Sequence, residues 1–400
     1  MDHSREDCLC EEKGIGTNMK TDTKENIQFR ILSALGIIFV VAGHLGYDVF
    51  TIGGLFPYYS FHVFIFLFVS GYFYKEEAEE NIAGYILKKC VTLLIPYFLW
   101  NLLYGILAQI LREIGFSFGE NLSFRTLFLS PFSGGHQFWI NFAAWFVPAL
   151  FLVEIVNVCM RKVLGLLRWK NEYLIFAGCL LAGMATIWLA VGGHVWGIYK
   201  LPGRILLMLP GFQMGRIYKE KLEVHDTLSN GAYFLVVVGV QILISIFCAG
   251  LAFSTVWVTG FANGPVVPYL TVMTGIAFWL RIAKMMKDIP SFSEKMVGIG
   301  RNTFSIMMHH TAVFMLVKGF FYYCSRVSSF CAEFDQEMFF QLPRDASMRS
   351  MYSWKNLSSR PLPIRNRLKR PALAGVPANY SPFTLRRSRC PELGMAWSEA

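Results

Sequence analysis

Charge is what this 400-residue sequence has least of: Asp, Glu, Lys and Arg make up 16% of it, against 54% hydrophobic and 16% aromatic residues. A soluble domain has too little interior to hide that much apolar surface, so the composition excludes an ordinary globular fold. The nine cysteines lack paired metal-ligand spacing, apart from the isolated Cys8 and Cys10, and their odd number argues against a disulfide framework. They read as small core residues, with no metal site expected. Residues 1–26 lack the apolar stretch and small-residue cleavage site of a signal peptide, so the first apolar run is expected to act as its own insertion signal. No internal repeat is visible.

The net charge of +10 invites a nucleic-acid partner until it is located along the chain. Residues 341–400 hold eleven Lys or Arg and three acids, so nearly all of the excess lies there, and no nucleic-acid partner is expected.

What is abundant is long apolar segments bounded by charge. A helix crosses a hydrocarbon core with about 20 mainly apolar residues. Nine such runs occur, near 31–47, 55–74, 90–111, 138–160, 173–192, 201–217, 230–251, 264–282 and 301–324. The fold class is therefore an all-α polytopic membrane protein with nine predicted transmembrane helices. The connections around 161–172, 216–229 and 281–301 are rich in Lys and Arg, whereas those at 48–54, 193–200 and 252–263 are nearly uncharged. By the positive-inside rule the N-terminus, residues 1–26, is a cytoplasmic polar segment.

An odd number of crossings would put the basic residues after 324 outside, against that rule. Residues 325–400 read as a polar basic tail, rich in Arg, Pro and Ser beyond about 340 and expected to be disordered. The abrupt change suggests an end foreign to the fold, such as a frameshifted or alternatively terminated one.

Ionisable side chains inside membrane spans are costly, so the few present are candidates for function. His44 ends the first span, about 21 Å along the helix from Arg30 and within about 40° of the same face. Asp48 lies one turn beyond and is placed to orient the imidazole. The second span carries His62 and ends Ser70-Gly71-Tyr72, and the third begins with Lys88 and Lys89 and reaches Ile95-Pro96-Tyr97. The fourth contains Trp145-Phe146, and the ninth runs from Gly300-Arg301-Asn302-Thr303 to His309 and His310. Neighbours on a helix point about 100° apart, so only one of these two histidines is expected at a shared site. Glu154 and Asn157 share a face of the fourth span and suit a helix–helix hydrogen bond. His62, His136, His194 and Arg204 lie toward the same end as His44.

In order and spacing, these segments resemble the membrane proteins of acyltransferase family 3, especially the branch related to fucose 4-O-acetylases. The resemblance covers residues 27–324. It implies a ten-helix architecture, one crossing more than the runs found here, and transfer of an acyl group from cytoplasmic acyl-CoA, commonly acetyl-CoA, to a hydroxyl. The implied acceptor is a glycan or lipid-linked sugar of the cell envelope, and the implied setting is a bacterial plasma membrane.

Carried over by position, the resemblance makes His44 the base; Asp48 and Arg30, placed beside it by helix spacing, complete the candidate catalytic set. The family arginine eleven residues before the histidine is here Ser33, with Arg30 one turn lower. Lys88 and Lys89 are candidates for the coenzyme phosphates and equally topology markers. His310, favoured over His309 by register, joins His62, Ser70 and Trp145 as candidates for substrate binding. Two other classes stay open: a transporter or flippase, and an inactive binding protein on the same scaffold. Oligomeric state is not legible in these patterns.

Overall fold

The computed structural model describes residues 26–45, 50–113, 118–133, 136–248 and 250–327. The basic tail and Asp48 therefore lie outside the described residues, as do residues 1–25. Each of the nine apolar runs becomes a helix: α1 Ile27–Leu45, α2 Tyr58–Tyr72, α3 Ile82–Glu113, α4 Trp139–Leu166, α5 Glu172–Val191, α6 Lys200–Ile217, α7 Asn230–Phe247, α8 Val266–Met286 and, after a short helix α9 Pro290–Arg301, α10 Thr303–Val327. No strand occurs among the described residues.

Six of these helices, α1, α3, α4, α5, α7 and α8, are long and apolar enough to cross a membrane. Of the other three that stand on apolar runs, α2 is 15 residues long, the apolar part of α10 spans Thr303–Val317, and α6 carries Lys200, Arg204, Gln213 and Arg216. The outward faces of α5 and α7 expose Leu181, Trp188, Leu235 and Phe247. Water would penalise so large an apolar surface, whereas lipid is its natural solvent.

Local chemistry explains the departures from straight helix. Pro96 would clash with the carbonyl four residues earlier, and α3 avoids this with a wide turn at Cys90–Leu94. The residues 290–301, read from sequence as a charged connection, form α9, which begins at Pro290 and stops at Asn302. Its Gly300 lies against the Arg30 carbonyl of α1, where a Cβ would collide with backbone. Of the four cysteines described, only Cys179 is buried, and Cys159 faces outward, which corrects the expectation that they fill the core. The lipid-like exterior makes an outward thiol no worse placed than a buried one.

The bundle has two polar ends, one holding His44 and the other Arg216. At the Arg216 end, Arg161 donates to Glu172 at 2.5 and 3.0 Å and to Glu79 at 2.9 Å. Arg216 bonds the same Glu172 at 3.1 Å and also Glu76 and Glu220 at 2.5 and 2.9 Å. The Tyr74 ring lies beside both guanidinium groups. Removing one member of such a buried network leaves uncompensated charge. Glu172→Ala should therefore lower stability by about 3 kcal/mol, read as a lower melting temperature of the detergent-solubilised protein, whereas Glu77→Ala on the exposed turn nearby should leave it unchanged.

The expected helix–helix bonds of the fourth span are present: Lys89 pairs with Glu154 at 2.7 Å, joining α3 to α4, and Gln213 donates to Asn157 at 2.5 Å, joining α6 to α4.

Candidate active site

At the opposite end, four histidines converge from separate stretches of chain. His44 occupies the last turn of α1, and its ring centroid lies 5.2 Å from that of His310 on α10. Phe142, in the tight first turns of α4, stands edge-on to His44 at 5.8 Å and stacks with Trp139. That segment bends at Asn141, whose non-helical backbone accompanies a hydrogen bond from its side chain to Asn101 at 3.2 Å. The bend turns the Phe142 carbonyl toward His136, whose ring stacks on the Phe142 ring at 4.4 Å. His136 and His44 thus meet the same Phe142 ring, and His62, on α2, lies 5.3 Å from the ring of Tyr59, whose hydroxyl donates to the carbonyl of Gly43 beside His44 at 3.4 Å.

Hydrogen bonds fix the tautomers around His44. A carbonyl can only accept, so the Nδ1 of His310 must donate to Ile306 O at 2.8 Å, that of His62 to Tyr58 O at 2.8 Å, and that of His136 to Phe142 O at 3.3 Å. In the neutral imidazole each Nε2 then carries a lone pair. The Nε2 atoms of His310 and His136 are buried and have no hydrogen-bond partner. Such nitrogens are equipped to accept a proton or a hydroxyl hydrogen.

His136, in the loop before α4, is held by burial, with Arg204 and Lys200 adding to the effect, at a pKa of about 3 instead of 6.5. The unfolded chain thus takes up this proton below about pH 6.5 while the fold resists it. The stability fully present above pH 6.5 is lost progressively as the pH falls toward 3. His136→Gln should flatten this part of the acid limb when melting temperature is followed against pH.

Trp145 belongs to the same end. Its ring lies 6.2 Å from that of His136 and carries the Arg204 guanidinium at 4.9 Å. Of the predicted site residues, His44, His310, His62 and Trp145 are therefore brought together. Ser70 is not: it sits eight residues below His62 on α2, about 12 Å along the helix, near the Arg216 end. Arg30 is exposed at that end too, about 21 Å from His44, farther than an arginine side chain reaches. Ser33, where the resemblance led us to expect arginine, is buried and closes its hydroxyl on Phe29 O at 2.9 Å. Lys88 is exposed and Lys89 is tied to Glu154.

His309 points away from the cluster, with Nδ1 2.6 Å from the Tyr104 hydroxyl and its ring edge-on to Trp100, so the two neighbouring histidines diverge as helical spacing requires. His194 is exposed beside Tyr199 and stands apart. Sequence reading missed Phe142 and Trp257. Trp257 lies in the loop between α7 and α8, with its ring 5.0 Å from that of His136. Neither carries a polar group to mark it, and only the proximity of the histidines gives them meaning.

Searches of curated proteins and of solved structures returned no match. A family model described as an acyltransferase domain matches residues 26–331, which spans every helix above and most of the chain. With that match and the apolar helices that mark an integral membrane protein, the chain belongs to acyltransferase family 3 and is a membrane acyltransferase.

Proposed function

We propose that this protein transfers an acyl group, acetyl being the simplest, from cytoplasmic acyl-CoA to a hydroxyl of a cell-surface glycan or lipid-linked sugar, with His44 as base. The observation that carries this reading is the pairing of His44 with His310 at 5.2 Å, among aromatic rings at one end of the bundle. The sugar hydroxyl oxygen forms a bond to the thioester carbonyl carbon, the carbon–sulfur bond breaks, and the proton taken by the imidazole passes to the departing thiolate.

In this reading α2, α6 and α10 cross the bilayer along with the six helices that are long and apolar throughout, giving nine crossings. The N-terminus and the Arg216 end lie in the cytoplasm of a bacterial cell, and the His44 end faces outward. The exposed Lys88 and Lys219, both toward the cytoplasmic end, suit the phosphates of the coenzyme, whereas Lys89 is engaged by Glu154. Ser70, at that level, fits the donor side better than the acceptor side. The order of the motifs supports placement in the branch related to fucose 4-O-acetylases. Mass spectrometry of surface glycans from cells with and without the protein tests the reading. Sugar esters that require the protein are expected, and identical glycans in both would oppose it.

A further inference from the structure

Arg204 presents a charge problem that the helix bundle does not solve. Its side chain is 2% exposed, yet its hydrogen bond is to a neutral group, from Nη2 to Val256 O at 2.6 Å, and its Nε has no partner. Lys200 lies one turn earlier on the same face of α6, with its ammonium 4.7 Å from the Trp257 ring centroid and 5.3 Å from that of Trp196. Two cations one turn apart repel each other, and burial of the guanidinium adds a desolvation cost. The cations at the other end of the bundle are treated differently: Arg161, Arg216 and Arg281 each pair with carboxylates. Among the described residues no carboxylate pairs with Arg204 or Lys200.

The surroundings are those of a ligand site. The Trp145 face lies under Arg204, Trp257 under Lys200, and His136, whose buried Nε2 has no partner, is near enough to feel both positive charges. Lys200, His136 and Trp257 are each partly exposed, which gives the group an open rim above a buried guanidinium. Aromatic faces suit a sugar ring, while the two cations call for a negative group attached to it.

We infer that Arg204 and Lys200, framed by Trp145, Trp257 and His136, form a subsite for an anionic group, carboxylate or phosphate, on the acceptor sugar beside the His44 site. This rests on the proposed acyl transfer for its meaning, because it specifies the acceptor as an acidic sugar or a phosphate-linked one.

The test uses the full chain, purified in detergent at constant ionic strength, with tryptophan fluorescence followed as glucuronate, inorganic phosphate or glucose is added. Saturable binding of glucuronate or phosphate, with glucose at least tenfold weaker, is expected. Lys200→Gln, at the partly exposed rim, should weaken the anion about tenfold, and Arg204→Gln should weaken it further while Arg204→Lys retains much of it. If Arg204→Gln does not fold, Lys200→Gln decides. Response to phosphate alone assigns a phosphate-linked acceptor, and response to glucuronate alone assigns a carboxylate sugar. No response to either anion, glucose binding as well as they do, or Lys200→Gln binding like wild type overturns the subsite. His44→Ala assayed alongside separates the two ideas. Anion binding kept while transfer is lost upholds both, and transfer kept while binding is intact removes His44 as base without touching the subsite.

Discussion

His44→Ala should lower acyl transfer by roughly 10²- to 10⁴-fold at matched amounts of folded protein, the contribution expected of a positioned general base. The imidazole is only partly buried, in the final turn of α1, so melting temperature should change far less than activity. His310 gives the necessary comparison. Its Nδ1 is committed to the Ile306 carbonyl, which leaves one nitrogen to act and orients the ring beside His44. His310→Gln should therefore reduce transfer by a smaller factor, about tenfold, if it helps hold the acceptor while His44 takes the proton. Rates measured with saturating donor, together with the melting temperature of each variant, check both statements.

Gly215→Val should cost on the order of 3 kcal/mol or more and deplete folded protein from the membrane. Gly71 of α2 and Gly215 of α6 bring two backbones into contact: a Cβ on Gly71 would overlap the Phe212 carbonyl, and one on Gly215 would overlap the Phe68 carbonyl and stand 2.7 Å from the Tyr72 amide nitrogen. Backbone cannot swing aside as a flexible side chain does, so the helices would have to separate. That separation would disturb the Arg161–Glu172–Arg216 network, because Arg216 adjoins Gly215. Gly178→Val on α5 is the control, since nothing lies within 4 Å of its added Cβ. Its yield and melting temperature in detergent should match those of the unaltered chain.

The same two glycines mark how far the sequence could be read. Ser70-Gly71-Tyr72 is visible as a small-residue packing motif, and Gly211 and Gly215 of α6 have the GxxxG spacing of another, but the two lie more than 130 residues apart and neither pattern names the other as its partner. Helices were legible because apolar runs between charged connections follow from bilayer thickness alone. Their ends were less so: α2 starts at Tyr58 and not near 55, because the backbone at Phe56 has positive φ and cannot continue a helix. The amphipathic α9 was hidden by its own charge, since Lys295 and Arg301 made it resemble a connection.

The chemistry was legible in part for a similar reason. A histidine at a span's end is conspicuous, and His44 and His310 could each be singled out, but their adjacency joins positions 266 residues apart in sequence and depends on how α1 and α10 pack. Arg30 illustrates the converse. It shares a face with His44 on the helical wheel, yet the rise of the helix puts it at the far end. Glu154 was correctly matched to a helix–helix role, whereas its partner, Lys89, had been read as a phosphate ligand or a topology marker.

The central claim is that donor and acceptor meet from opposite ends of this bundle, with transfer completed at the His44 end. It is tested most directly with the purified protein reconstituted into sealed vesicles in one orientation, labelled acetyl-CoA added on the Arg216 side and sugar acceptor enclosed on the His44 side. Labelled ester on the enclosed sugar, dependent on His44, is the predicted result. Ester formed only when donor and acceptor share one side would contradict it.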